Sequence, residues 1–202
     1  MSSPRMCAST DAGVDPSDGS GIGRPATTSR NAAINNVKPF PPDFRVIAGD
    51  NRLRNFAWDN SIQKSDWASH GLSTNQAFLR QKAIGFNCLN YNAPAQAALG
   101  LNEIPVDREC PDGLRAEVFF PSCWDGKNVD SQDHRSHMAY PSTMDNGDCP
   151  ASHPVRLPSL FFETIWNVNV VAGMGGRLVF SNGDPTGSTS LTPFPPFPLN
   201  PR

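Results

Sequence analysis

Apolar and polar positions alternate with the two-residue period of a β-strand in three separated stretches of this chain. Phe44 to Asp50 places Phe44, Val46 and Ala48 on one side and stops at Gly49-Asp50, which predicts a strand followed by a turn. Leu114 to Phe120 alternates apolar residues with Arg115 and Glu117 and ends at Pro121. Gly176 to Phe180 runs into Ser181-Asn182-Gly183-Asp184-Pro185, a strong turn signal. Residues 157–171 alternate more loosely and carry Phe, Ile, Trp and Val, so they predict one or two central strands, with Glu163 directed away from the core or into a cleft. The 3.6-residue period of a helix is weak throughout. Gln76 to Ile84 predicts a short helix, in competition with β-rich surroundings. Short strands separated by long loops rich in Pro, Gly and Asn indicate a mainly β fold, an antiparallel β-sandwich or jelly-roll-like domain with few short helices.

The two ends depart from that pattern. Residues 1–36 are polar, rich in Ser, Thr, Gly and Asn, and offer too little apolar surface to offset the entropy of ordering, so they read as a disordered head. A proline-rich entry, Lys38 to Asp43, opens the predicted domain, which spans 37–187. Residues 188–202 close the chain with TPFPPFPLNPR, expected to be a tail of polyproline character because proline removes the donors that a ladder needs.

At 202 residues the chain is sized for one domain. Its 17 Lys and Arg stand singly against 19 Asp and Glu, which excludes the basic stripe of a nucleic-acid binder. No apolar run approaches the length that spans a membrane, and the polar head carries no readable secretory signal. The cysteines point the other way. Cys88, Cys110, Cys123 and Cys149 lie in loop-like settings without the CxxC pairs of a zinc ribbon, which favours two disulfides in an oxidising compartment. Four cysteines allow three pairings. The sequential one, Cys88 with Cys110 and Cys123 with Cys149, closes the shortest loops and is preferred; Cys7, in the head, is expected to be unpaired.

Candidate chemistry concentrates between Cys123 and Pro154, a window holding three of the four histidines. His134 and His137 are three residues apart, which suits one side of a tight loop but opposite faces of a strand. A loop bearing Asp130, Ser131, Asp133 and Ser136 would bring His134, His137 and His153 to one metal ion, zinc or copper by ligand type. The same three imidazoles, assisted by Asp133, are alternatively acid/base catalysts on a sugar or uronic acid, with Trp124, Asp125 and Tyr140 contacting substrate. A carboxylate pair drawn from Asp125, Asp130, Asp133 and Glu163 is a further option, though nothing selects the pair. A Ser-His-Asp hydrolase is disfavoured, because Ser136 and His137 are adjacent and no GxSxG elbow occurs. Against all of these stands a structural account, in which Asp, Ser, Asn and His side chains of a disulfide-closed loop satisfy its own backbone. On that account Trp124 and Trp166 are core residues and Asp125 to Asn128 is a turn. Gly173, Gly175 and Gly176 lack the GK[ST] and following helix of a phosphate loop.

Four strings carry a resemblance: Phe120 to Asn128, Asp133 to Pro141, Cys149 to Val155 and Ser181 to Gly187. Together they resemble the DUF1996 family, a domain of unknown function abundant in secreted fungal proteins, over roughly residues 37–187. The resemblance implies a fungal protein that is extracellular or wall-associated in its complete form, with cell-wall or plant polysaccharide as partner, and no established activity to transfer. It leaves two readings, a carbohydrate-active enzyme centred on the histidines or a non-catalytic glycan-binding module; oligomeric state is open. The family's His-Met-His opening and its Gly-His-Gly/Ala-Asp-Phe strand after the Gly-Asp-Pro-Thr-Gly turn have no counterpart here. That departure leads us to expect a chain truncated at both ends, or a divergent, inactive copy.

Overall fold

The computed structural model describes residues 37–50, 52–94, 102–105, 110–171 and 178–180, and the backbone of 192–194. The expected disordered head, the unpaired Cys7, the glycines at 173–176 and the turn at 181–187 lie outside the described residues. Among them, strands dominate and all pairings are antiparallel, in three small sheets with one α-helix. The mainly β class therefore holds. Sheets of two, three and three strands do not in themselves amount to a sandwich or jelly-roll.

β1 (Val46–Ala48) keeps the predicted alternation, with Phe44, Val46 and Ala48 buried. Its partner is β8 (Thr192–Phe194), within the segment expected to be a proline tail unable to join a sheet. The ladder tolerates Pro193 for a geometric reason. Pro193 faces Ile47, whose N–H points the other way and donates to the His134 carbonyl at 2.9 Å. The pair is one in which neither residue's N–H faces its partner, so the missing donor costs nothing there. Arg45 N–H likewise turns outward, to the Val129 carbonyl at 3.0 Å, so β1 runs between β8 and the 129–134 loop.

The expected short helix forms, but it ends at Lys82, and Ile84, expected as its last residue, opens a strand instead. α1 (Gln76–Lys82) begins at Asn75, whose side-chain oxygen accepts the Ala77 and Phe78 N–H groups at 3.1 Å each. Arg80 and Lys82 occupy its last turn, where cations complement the helix dipole. The chain passes through Ala83 directly into β2 (Ile84–Cys88), a strand buried at every position. Ile84, Phe86 and Cys88 alternate with Gly85 and Asn87, but the run is short and follows the helix without a turn to set it apart.

β3 (Leu114–Phe119) is the centre of the larger sheet, ordered β2-β3-β7, with β7 (Phe161–Trp166) at the edge. Among the described residues β7 pairs with β3 alone, so the 157–171 segment, expected to be central, lies at the edge of the sheet they form. Gly113 holds the entrance to β3 at φ +107°, and a Cβ there would stand 2.9 Å from the Trp166 carbonyl oxygen. One face of this sheet turns Ile84, Phe86, Leu114 and Val118 into a core shared with Phe44, Val46, Phe120 and Leu157. Its other face carries Glu117 opposite Glu163, with Arg115 ion-paired to both at 3.0 Å. A second core gathers Trp67, Phe78, Leu79, Tyr140 and Met144 under α1, with the Trp67 and Phe78 rings edge to face at 4.9 Å.

The third sheet joins β4 (Cys123–Trp124) to β5 (Met138–Ala139) on one side and β6 (Val155–Arg156) on the other. Both disulfides follow the sequential pairing, Cys88–Cys110 and Cys123–Cys149. The second fastens β4 to the end of the loop that follows β5, so the histidine-bearing window is stapled at its base.

Candidate functional site

Asp133 organises the loop between β4 and β5. Its Oδ1 accepts the Arg135 and Ser136 N–H groups at 3.0 and 2.8 Å and the Ser131 and Ser136 hydroxyls at 2.8 and 2.9 Å. Partial burial raises the pKa of this carboxyl, but the Ser136 and Arg135 amides and the two hydroxyls outweigh it and hold it well below the usual carboxylate range. All four of these bonds fall on Oδ1, so this oxygen is given over to shaping the loop.

That engagement sets the state of His137. Ser131 gives its proton to the Asp133 anion and accepts the Arg135 N–H at 3.1 Å, so His137 Nδ1, 2.8 Å from the same hydroxyl, donates to it. Its Nε2 is buried without a hydrogen-bond partner among the described residues. Only 2% of His137 is exposed, and its ring lies edge to face on Phe44 at 5.1 Å. Burial pushes its pKa below the ordinary histidine value. His137 is a neutral core residue.

His134 has the opposite setting. Its backbone lies at φ +52°, which turns its carbonyl onto Ile47 of β1, and its Nδ1 is 2.6 Å from Asp130 Oδ1. Asp130 also lies 3.7 Å from Arg45. The His134 side chain holds its carboxyl below the usual range. His134 thereby ties the loop to β1.

His153 differs from both. Its Nε2 lies 3.1 Å from the Ser136 carbonyl, an acceptor only, so Nε2 carries the proton and Nδ1 accepts the Ser152 hydroxyl at 2.9 Å. Among the described residues no three His, Cys, Asp or Glu side chains are grouped so as to hold a metal ion. The structure thus does not bring His134, His137 and His153 together around one point. One imidazole is spent on Asp130, one is sealed against Phe44, and the third is turned to a backbone carbonyl.

The proposed substrate contacts are similarly placed. Trp124 donates from Nε1 to the Asn128 carbonyl at 2.7 Å and sets its ring against Phe44 and the core. Asp125 accepts from the Lys127 and Asn128 amides and the Asn128 side chain, closing the turn expected there. Tyr140 is buried, donates its hydroxyl to the Phe119 carbonyl at 2.9 Å, and has its pKa raised by burial.

A cleft of about 460 Å³ opens beside this loop. One wall is Ser73, Thr74, Gln76 and Arg80, at and just before α1; the floor is Met138 to Tyr140; the far wall is Asp148 to Pro150 with Ser136, Ser152 and His153. Gln76 joins the walls, donating to the Tyr140 carbonyl at 2.9 Å and accepting the Tyr140 N–H at 2.8 Å. Gln76 and Arg80 stand four residues apart, one turn along the same helix face. Of the four residues expected to be catalytic, His153 lines this cleft, and of the three expected substrate contacts, Tyr140 does. Arg80, Ser152 and Asp148 carried no sequence signal. The spacing of Gln76 and Arg80 on a helix was legible, but their approach to a loop more than sixty residues away was not.

The family model for a domain of unknown function, DUF1996, matches residues 26–194. No curated protein and no solved structure matches the chain. With more than half of its length matched, this chain, with its stapled histidine loop and adjoining cleft, belongs to the DUF1996 family.

Proposed function

We propose that this domain is an extracellular, non-catalytic glycan-binding module of fungal origin, acting at cell-wall or plant polysaccharide through the cleft between α1 and the stapled loop. The observation that carries the reading is the cleft's lining: hydroxyls of Ser73, Thr74, Ser136 and Ser152, one guanidinium, one carboxylate and one imidazole, together with Met138. Closely spaced neutral donors and acceptors over a small apolar patch suit the hydroxyls and ring face of a sugar, and the volume lies within the range of ligand sites. Two disulfides support the extracellular location. We include the frame in the proposal: β1 and the β2-β3-β7 sheet contribute to one core, which supports a sandwich-like closure. Binding is favoured over acid/base catalysis because Asp133, His134 and His137 are committed to holding the loop.

The test is a panel of cell-wall and plant polysaccharides offered to the full chain and to Ser152→Trp, which places a large ring at an exposed position on the cleft wall. Retention on at least one polymer, lost in the variant and without release of reducing ends, is expected. Reducing ends released by the protein but not by His153→Ala would overturn the module in favour of an enzyme, and equal retention of Ser152→Trp would remove the cleft from consideration.

A further inference from the structure

We infer that the glycan taken by this cleft is anionic, a polymer of uronic acid whose carboxylates are bound at both ends of a groove longer than the cleft itself. The inference rests on the glycan-binding reading above. A second depression of about 390 Å³ shares Asp148, Cys149 and Pro150 with the cleft and reaches Lys38 and Arg156 on its far side. The two lie on either side of the segment they share, which the Cys123–Cys149 disulfide fixes in place. A single sugar fills one depression; an extended chain occupies both.

Charge gives the class of ligand. Along the joined groove stand three cations, Lys38, Arg80 and Arg156, and one acid, Asp148. The whole chain has a formal net charge of −2, so the groove is locally opposite in sign to the protein that carries it. Arg80 is the sharper sign. Elsewhere guanidiniums are spent on protein partners: Arg52 on Asp50, Arg115 on Glu117 and Glu163, Arg135 on the Gly49 carbonyl, Arg156 on Ser122 and Gly147. The Arg80 guanidinium lines the cleft and has no hydrogen bond or ion pair among the described residues. A planar fork with unspent donors matches a carboxylate in two parallel hydrogen bonds. Lys38 is exposed and equally unspent, a point charge at the other end.

The experiment is calorimetric titration of the full chain with polygalacturonate, with the same polymer fully methyl-esterified, with monomeric galacturonate and with inorganic phosphate. Polygalacturonate is expected to bind at least tenfold more tightly than the ester, to weaken as salt rises, and to exceed both small anions. Arg80→Gln should lose at least tenfold and Lys38→Gln several-fold in affinity for the acid, with little change for the ester. Lys38 is exposed, so its variant tests the idea even if Arg80→Gln shifts the unfolding midpoint. Equal affinity for acid and ester would overturn the inference while leaving a glycan module standing. Phosphate binding as tightly as the polymer would reduce the groove to a small-anion site and overturn it as well. Failure of every polymer to bind would sink the glycan reading itself.

Discussion

Replacing Glu117 by Gln should stabilise this protein at pH 8 and leave it nearly unchanged at pH 4. Glu117 sits on the central strand β3, directly opposite Glu163 on β7, and only 4% of it is exposed. Burial pushes its pKa from 4.5 up to about 7; Arg115 at 3.0 Å opposes the rise and Glu163 adds to it. In the unfolded chain the same carboxyl ionises near 4.5. Stability from the protonated form is therefore fully present below pH 4.5 and lost as pH rises through about 7, after which the loss is constant. At about 1.4 kcal/mol per pH unit the loss is about 3 kcal/mol. Glutamine keeps the shape and neutrality of the protonated acid, and Arg115 retains Glu163 at 3.0 Å as its ionic partner. With a urea slope of roughly 2 kcal/mol per molar for a chain of this size, the variant's midpoint should move upward by about 1.5 M at pH 8. Tryptophan fluorescence during urea unfolding at both pH values reads the shift. A variant that is less stable at pH 8, or that shows the same offset at pH 4, refutes the reasoning.

His137 has the opposite pH sense. Its pKa is lowered by burial, so the stability it confers as a neutral ring is present above the ordinary value of 6.5 and is lost as pH falls through the lower folded value. An imidazole resonance assigned to His137 and followed by NMR should titrate below 6.5; titration at or above that value would mean the ring is not sealed against Phe44. Removing the second staple with Cys123→Ser and Cys149→Ser together should cost about 3.5 kcal/mol by loop-closure entropy. The urea midpoint checks the magnitude. A non-reduced peptide map showing Cys88 or Cys110 joined to Cys123 or Cys149 would contradict the pairing.

Much of the frame was legible because it was written at short range. Phe44, Val46 and Ala48 are buried in the alternation that the sequence displays, and Asn75 caps a helix from a position where Asn is a strong cap. The losses were of two kinds. β2 is only five residues long, its alternation resting on Gly85 and Asn87, and a strand next to a helix without an intervening turn gives no punctuation to set it apart. β8 was hidden by composition. Proline counts against a strand only where its nitrogen faces a partner, and that depends on the direction of Ile47 N–H, a property of β1 and not of the tail.

The histidine-rich window shows what residue type alone leaves undecided about a site. A long loop holds its shape by giving its backbone amides partners, and Asp133, Ser131 and Asp125 do this for Lys127, Asn128, Arg135 and Ser136. Density of polar side chains is thus what a well-satisfied loop requires as much as what catalysis requires. The two accounts diverge on what the side chains have left over. Asp133 accepts four hydrogen bonds at one oxygen, His134 is paired with Asp130, and the Nε2 of His137 is enclosed, so this cluster has little capacity for a ligand. Arg80 has no such commitment, although nothing in its immediate sequence marks it. Unspent hydrogen-bonding capacity at a concave surface, a property that appears only once long-range contacts such as Gln76 to Tyr140 are made, is the ground on which the proposed binding surface rests, in place of clustering of reactive residue types.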